Sequence, residues 1–504
     1  MKLKYVLLLS LLCGAASLRA ATVTTSGRQL LVDGQAFTVK GVNYSPTPVG
    51  YQIGGSGTNC LGPYRWWVDR PTYIADFPLI RRLGANTIRT FDLMNSPSTT
   101  AQALQALDEA QRNGLYVIMG YYVSHTANLS GGIFRTQTLN EFAAAVNAYK
   151  DHPAVLMWAF GNENNLDNGN TNPDWYSLIQ EAAQQAKALD PYHPVTTVEG
   201  ECQGADCFDP FAPGNTFLNN IGKVAIGADD TALSFLDIWG INVYRGTSFQ
   251  GVFQALAVST MTTKPILVSE FGKDAWRDSS GSEDSNLQST YISSQWQEIQ
   301  NNLSATGAGT ASLAGGVVFE WADEWWKYGG DDCRTHSTVV LFTRPADTVD
   351  PNYQDEWFGI TSVWPLQSTV NPNGTQRTFR AAFFALQAFW NPGVTGAAAS
   401  AAQNFFADTV RNFPNPFQAG TAPTRFVAQV NDAGTIDIRI YDASGQFVAG
   451  LPPVAATGAG RYVLLWDGQN RQGVTVSPGL YFARIEGRSA SREDRQFRRV
   501  VAVK

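Results

Sequence analysis

The sequence predicts an α/β protein: a (β/α)8 TIM barrel followed by a separate β-sandwich. Between Phe37 and Trp390, short apolar runs rich in β-branched residues alternate eight times with segments of helical periodicity. That alternation is the mark of βα units wound around a parallel sheet. After Trp390 the composition turns to Gly, Ala and Ser from Asn391 to Gln403, as in a linker. Beyond the linker, short stretches alternate apolar and polar residues between Asp- and Gly-containing turns, the pattern of an antiparallel sandwich.

The chain opens on Lys2 and Lys4, an apolar run from Tyr5 to Leu12, and small residues leading to a cleavage site after Ala20. These are the features of an export signal over residues 1–20. A lipoprotein reading would use Cys13, but Leu12 stands where such a signal needs a small residue. Residues 21–36 hold Arg28-Gln29-Leu30-Leu31-Val32-Asp33-Gly34-Gln35, a hairpin with an Asp-Gly turn that is placed to plug a barrel floor.

The barrel, residues 37–390, is built from strands at Phe37–Tyr44, Asn86–Phe91, Tyr116–Val123, Val155–Phe160, Pro194–Glu199, Ile238–Tyr244, Pro265–Glu270 and Gly315–Trp321. Between them, Thr100–Asn113, Leu139–Tyr149, Asp174–Leu189 and Leu287–Asn302 repeat apolar residues at three and four positions, as helices packed on a sheet do. A doubly wound open sheet is the rival. It would more often carry a glycine-rich phosphate turn after its first strand, and Gly41-Val42-Asn43-Tyr44 is not one. Residues 391–407 form the linker and 408–504 the sandwich, with strands at Thr435–Tyr441 and Arg461–Trp466.

A formal charge of −7 without a long basic run excludes a nucleic-acid backbone as the main partner and suits a neutral ligand. No stretch after the signal is apolar for long enough to span a membrane. Cys60, Cys202, Cys207 and Cys333 remain after the signal, an even number that in an oxidising compartment permits two disulfides in three connectivities. Cys202 and Cys207 lie close enough to close a small loop. That leaves Cys60 with Cys333, in the loops after strands one and eight, which are neighbours in a closed barrel. Their spacing matches no common zinc site, and no metal or other cofactor is expected.

Two carboxylates stand where strands open into loops at the catalytic face of a barrel. Glu163 follows strand four in Trp158-Ala159-Phe160-Gly161-Asn162-Glu163-Asn164, and Glu270 ends strand seven in Ile266-Leu267-Val268-Ser269-Glu270-Phe271-Gly272. Both point into one mouth. Breaking a glycosidic bond with retention needs such a pair: a carboxylic acid protonates the leaving oxygen while a carboxylate attacks the anomeric carbon. The chemistry requires their pKa values to be pushed apart.

These residues resemble the retaining β-glycosidases of clan A, and the resemblance covers the barrel. It implies Glu163 as acid/base and Glu270 as nucleophile. It further implies Arg89 as a brace for the nucleophile, Tyr244 as its hydrogen-bond donor, Asn162 as a ligand of the sugar 2-hydroxyl, and Trp321 as a strand-eight ring under the sugar. Plainer roles are open for several of them, an ion pair for Arg89 and a core tyrosine for Tyr244. His125, past strand three, either contacts sugar or caps its loop. Trp66, Trp67, Trp325 and Trp326 either stack on pyranose rings or pack two loops together. Glu199, Glu201, Glu320, Asp323 and Glu324 are rival acids near the same face.

Gly161-Asn162-Glu163 with the helix start Pro173-Asp174-Trp175 is similar to the β-galactosidase and β-glucuronidase family. Lys40-Gly41-Val42-Asn43-Tyr44, Gly240-Ile241-Asn242-Val243-Tyr244 and Ser269-Glu270-Phe271-Gly272 resemble β-1,3-glucanosyltransferases of cell walls. Only a short hairpin precedes the barrel in this sequence, where the former family carries sandwich domains. The resemblance therefore favours a polysaccharide substrate, β-1,3-glucan first, with hydrolysis and transfer both open. An exo-acting β-galactosidase, β-glucuronidase or β-mannosidase-like enzyme is the alternative, and a catalytically inactive carbohydrate-binding surface protein is another.

In the tail, Asn412-Phe413-Pro414-Asn415-Pro416-Phe417, Trp466-Asp467-Gly468 and Gly479-Leu480-Tyr481-Phe482 resemble the immunoglobulin-like module related to the flagellar hook-capping protein. The last strand, Arg498 to Lys504, is similar to sorting tails of the type IX route. The expectation is a secreted or bacterial cell-surface monomer.

Overall fold

The computed structural model describes residues 20–503 except 55–59, 170–171, 202–219, 259–260, 308, 328–332, 345–346, 364–376, 392–404, 407–409, 443–444, 459 and 490–492. The expected export signal up to Arg19, Cys202 with Cys207, and most of the expected linker lie outside the described residues.

Eight parallel strands close a barrel: β1 Val39–Asn43, β2 Thr87–Arg89, β3 Tyr116–Tyr121, β4 Val155–Phe160, β5 Val195–Glu199, β6 Ile238–Asn242, β7 Ile266–Phe271 and β8 Leu313–Val318. Each pairs with its neighbour in chain order. Closure comes from β8, which pairs with β7 at Ile266↔Leu313 and with β1 at Gly315↔Val39 and Val318↔Val42. These are the strands the sequence predicts, trimmed by a residue or two at most ends. The eighth differs most. It starts earlier, at Leu313, and the chain leaves the sheet after Val318, where Glu320 N–H donates to Phe358 and Trp321 N–H to the Asn43 carbonyl.

Helices α1 Arg70–Leu83, α2 Thr100–Arg112, α3 Gly132–Tyr149, α4 Pro173–Leu189, α5 Val252–Val258, α6 Ser285–Gln300 and α7 Ala381–Trp390 cover the barrel. In α4, Asn172 caps the N-terminus by accepting from Asp174 N–H, and Pro173 occupies the first turn, where its missing donor is harmless. The buried stripe Trp175, Leu178, Ile179, Ala182, Ala183 and Ala186 then faces the sheet.

The hairpin before the barrel has three strands, Val23–Ser26, Gln29–Val32 and Gln35–Ala36. Its Asp33-Gly34 turn has φ of 49° and 77°, the left-handed pair that a tight hairpin needs. Val23, Leu30 and Val32 pack in one cluster with Ile118, Leu156, Met157, Ile238, Leu267 and Ala314 from the barrel strands. The hairpin thus seals the floor, and the mouth at the strands' carboxyl ends stays open.

The tail is an immunoglobulin-like β-sandwich. Strands Arg411–Phe413, Thr424–Val430 and Gly460–Trp466 form one sheet, and Phe417–Gln418, Glu493–Val503, Gly479–Arg488, Gly434–Asp442 and Phe447–Gly450 lie in the other. Ile436, Ile438, Ile440, Phe426, Leu464, Trp466 and Ile485 fill the space between them. No helix among the described residues is long and apolar enough to cross a membrane, and no cluster of three or more His, Cys, Asp or Glu among them could hold a metal ion.

Strand β3 passes so close to β2 that Gly120 is the only fit: a Cβ there would lie 2.1 Å from the Thr90 carbonyl oxygen and 2.7 Å from the Phe91 carbonyl carbon. Both are backbone atoms that cannot rotate away. Gly120→Ala is therefore expected to cost about 1–3 kcal/mol through forced backbone shifts. Calorimetry should show a melting temperature several degrees lower, and an unchanged value would contradict this packing.

Candidate active site

Glu163 sits three residues beyond the end of β4, in a turn that the backbone makes at some cost. Gly161 has φ 76°, and a Cβ there would lie 2.3 Å from the Trp175 ring. Glu163 itself has φ 58°, a left-handed conformation that side chains seldom adopt. Its N–H donates to the Val198 carbonyl at 2.9 Å and its own carbonyl accepts from Leu166, so strand five and the following turn hold it there. Gly200 makes room, since a Cβ at that position would come within 2.8 Å of the Glu163 Cγ.

Glu270, near the end of β7, is held from two sides. Arg89 of β2 donates Nη1 to Oε1 at 2.8 Å, and the Tyr244 hydroxyl donates to Oε2 at 2.7 Å. The same guanidinium reaches Asn43 Oδ1 at 2.9 Å and, through Nη2, Asn162 Oδ1 at 2.6 Å. A second chain of contacts reaches Glu163: Ser269 Oγ donates to Asn242 Oδ1 at 2.8 Å, and Asn242 Nδ2 donates to Glu163 Oε1 at 2.9 Å. The two glutamates are thus tied to one polar network that crosses the mouth.

Their environments differ. Arg89 gives Glu270 a buried counter-charge, whereas Glu163 receives a neutral amide and feels the negative charge of Glu270. Burial first, and that charge second, push the Glu163 carboxyl up to about 7. Burial and Glu270 together hold the Tyr244 phenol well above its usual range, so it stays a donor. Both glutamates line one cavity of about 480 Å³, with Asn162, Tyr244, His125 and Lys327 among the other lining residues.

Four of the five rival acids are paired with other side chains. Asp323 takes a two-pronged contact from Arg380 at 2.6 and 2.8 Å. Glu201, at the cavity wall, pairs with Arg245, and Glu324 pairs with Lys327 at 2.8 Å. Glu199 lies fully buried and outside the cavity, accepting from the Tyr176 hydroxyl at 3.0 Å. Glu320 is buried too and does not line the cavity.

Three aromatic expectations need correction. Trp321 is fully buried against Phe383 and offers no face to a sugar, because the chain has already left β8 when it reaches that position. Trp66 is 4% exposed and packs edge-on against Tyr44 at 4.8 Å and Trp67 at 5.7 Å, so it belongs to the core. Trp325 stacks on His336 at 4.4 Å, which in turn stacks on Trp357, and it does not line the cavity. The half-buried ring that does line it is Phe342, on the strand Val340–Thr343 that follows the barrel. Sequence reading passed over Phe342, Lys327, Arg344 and Asp355. The apolar run Val339-Val340-Leu341-Phe342 was the available sign of a further strand beside the mouth. Cys60 and Cys333 form the expected disulfide between the loops after β1 and β8.

The profile of the glucanosyltransferase family fits residues 14–342. The chain belongs to that family. An immunoglobulin-like domain of the flagellar hook-capping type fits residues 415–491 of the tail. A 1,3-beta-glucanosyltransferase of Candida albicans is 23% identical over 349 residues, 68% of this chain and 65% of that one. The beta-glucuronidase of Rattus norvegicus is 28% identical over 263 residues, 50% of this chain and 34% of that one. The chain thus spans about a quarter to a third of the length of the beta-glucuronidases it matches. Among solved structures, a beta-galacturonidase of Eisenbergiella tayi aligns with a TM-score of 0.47 and 17% identity over 74% of this chain and 54% of that one. This member of the glucanosyltransferase family has a clan A glycosidase barrel.

Burial also lifts the Glu199 carboxyl to about 8. A folded pKa above the unfolded one stabilises the fold at low pH, and that stability is lost as pH rises toward the folded value. Glu199→Gln keeps an oxygen acceptor for Tyr176 and removes the titration. Thermal unfolding from pH 5 to 8.5 should show wild type losing melting temperature relative to this variant as pH rises. Parallel curves would mean that Glu199 does not carry a proton in the fold.

Proposed function

We propose that the barrel breaks and remakes β-glycosidic bonds with retention, with Glu270 as nucleophile and Glu163 as acid/base. The observation that carries this reading is the opposite treatment of two carboxyls in one cavity. Glu270 accepts from the Arg89 guanidinium and the Tyr244 hydroxyl, while Glu163 is buried with only a neutral amide donor and raised to about 7, which favours its protonated form near neutrality. In the first step Glu270 bonds to the anomeric carbon as that carbon's bond to the glycosidic oxygen breaks. The Glu163 proton passes to the departing oxygen. In the second, Glu163 takes the proton of a water or sugar hydroxyl, whose oxygen displaces Glu270 from the same carbon. The amide nitrogen of Asn162, whose oxygen is taken by Arg89, is the group available to the sugar 2-hydroxyl, and Phe342 is the ring available to a sugar face.

The substrate we favour is a β-1,3-glucan chain, processed outside the cell. The family profile and the Candida relative support the glucan, and the Cys60–Cys333 disulfide supports an oxidising location. A second reading, release of a terminal uronic acid, draws on the beta-glucuronidase matches and on Lys327 and Arg344 at the cavity wall. Against it, Lys327 is already shared between Glu324 at 2.8 Å and Asp355 at 3.2 Å, and Arg344 lies 3.8 Å from Glu201.

Laminari-oligosaccharides and an aryl β-glucuronide, offered separately, distinguish the two. The glucan reading expects turnover of the former, with products longer than the donor wherever transfer outruns hydrolysis, and little of the latter. The reverse preference would replace it. Glu163→Gln is expected to lose about 10²- to 10⁴-fold on natural oligosaccharides, whose leaving groups need a proton. It should lose far less on an aryl glycoside with an acidic leaving group, while Glu270→Gln loses both. Full activity of Glu163→Gln on laminari-oligosaccharides would remove it from the acid/base role.

A further inference from the structure

The outer face of the larger sheet of the sandwich holds a second cleft, of about 460 Å³. It is lined by Arg439, Arg484, Arg488 and Arg495 together with Asp437 and Glu486. Strand alternation puts them there. Ile436, Ile438, Ile440, Ala483 and Ile485 turn inward to the core, so their neighbours along the same strands turn outward. Pairing sets Arg439 directly opposite Arg484, Asp437 opposite Glu486, and Glu486 opposite Arg495.

Three of the four guanidiniums converge on Glu486, Arg495 at 2.8 Å, Arg484 at 3.3 Å and Arg488 at 3.4 Å. Arg439 leans on Asp437 at 3.2 Å. The Glu486 side chain is only 7% exposed, whereas Arg488 is 61% and Arg495 52% exposed. The acid therefore lies at the bottom and the cations at the rim. Four cations face two anions among these lining residues, on a chain whose overall charge is −7. Like charges directly across a sheet, as at Arg439 and Arg484, weaken it. The pair of Glu486 and Arg495 offsets part of that repulsion, and a bound anion would relieve the rest.

We propose that this cleft binds a carboxylate-bearing polysaccharide, a polyuronate strand laid across the three β-strands. Guanidinium groups pair with carboxylates through two parallel N–H donors, and strands about 4.7–4.9 Å apart present successive arginines on the scale of successive sugar residues. Choosing a glycan over other polyanions rests on the reading of the barrel as a glycan-acting enzyme. The cleft would then hold the enzyme on an acidic matrix while the barrel works on a neutral chain beside it.

Titration calorimetry of the full chain with polygalacturonate, and with the same polymer fully methyl-esterified, tests this directly. The expected result is binding of polygalacturonate that weakens with salt, and at least tenfold weaker binding of the ester. Arg488→Gln combined with Arg495→Gln, which removes charge without adding repulsion, should weaken polygalacturonate binding at least tenfold. That double variant should keep the wild-type melting temperature and its turnover of soluble oligosaccharides. Arg425→Gln, exposed on the other sheet, should bind as wild type does. Absent binding, equal binding of both polymers, undiminished binding by the double variant, or equally tight binding of duplex DNA would each overturn the proposal. Turnover is scored separately, so a barrel inactive on glucans would not be mistaken for a failure of the cleft.

Discussion

The buried pair of Arg89 and Glu270 is the constraint on which the rest of the mouth depends. Both side chains are almost wholly withdrawn from water, at 2% and 7% exposure, and each would be costly to bury alone. Removing one partner of such a pair typically costs about 3–5 kcal/mol, since it strands the other charge. Arg89 reaches Glu270 on β7, Asn43 on β1 and Asn162 beyond β4. One guanidinium thus fixes side chains from widely separated parts of the chain. Closure of the barrel is what brings them within its reach.

The second glutamate is defined by contrast. Glu163 faces a neutral amide, sits in a backbone conformation held by β5 and the turn to Leu166, and occupies space that Gly200 leaves open. Strain of this kind persists where surrounding contacts over-determine it, and it commonly marks functional positions. Desolvation then acts on a carboxyl without a cation of its own, while Glu270, a short way across the network, keeps one. A fold that treated both acids alike would place both in the same protonation state, and the proposed chemistry needs them in different ones.

The strands were legible because apolar β-branched runs ending in polar residues report a buried parallel sheet locally, without knowledge of partners. The same signal located Glu163, Glu270, Arg89 and Tyr244, each close to the end of a strand. What sequence could not supply was the orientation of side chains beyond those ends. Trp321 continues the apolar rhythm of β8, yet the chain has left the sheet three residues earlier, and the ring turns into the core. Asn242 and Gly200 act through contacts made only after closure, and nothing in their local sequence announces them. Phe342 lies on a strand outside the eightfold βα repeat, so the periodicity that marks the barrel strands does not reach it.

Trapping the glycosyl-enzyme tests the central claim most directly. A 2-deoxy-2-fluoro-β-glucosyl or laminaribiosyl fluoride slows the second displacement more than it slows the first, so the covalent species accumulates and can be mapped by peptide mass spectrometry. The account predicts one added glycosyl group, attached through Glu270. A label on Glu163, Glu201 or Glu320, or turnover of β-glycosyl fluorides to products of inverted configuration without any label, would contradict it.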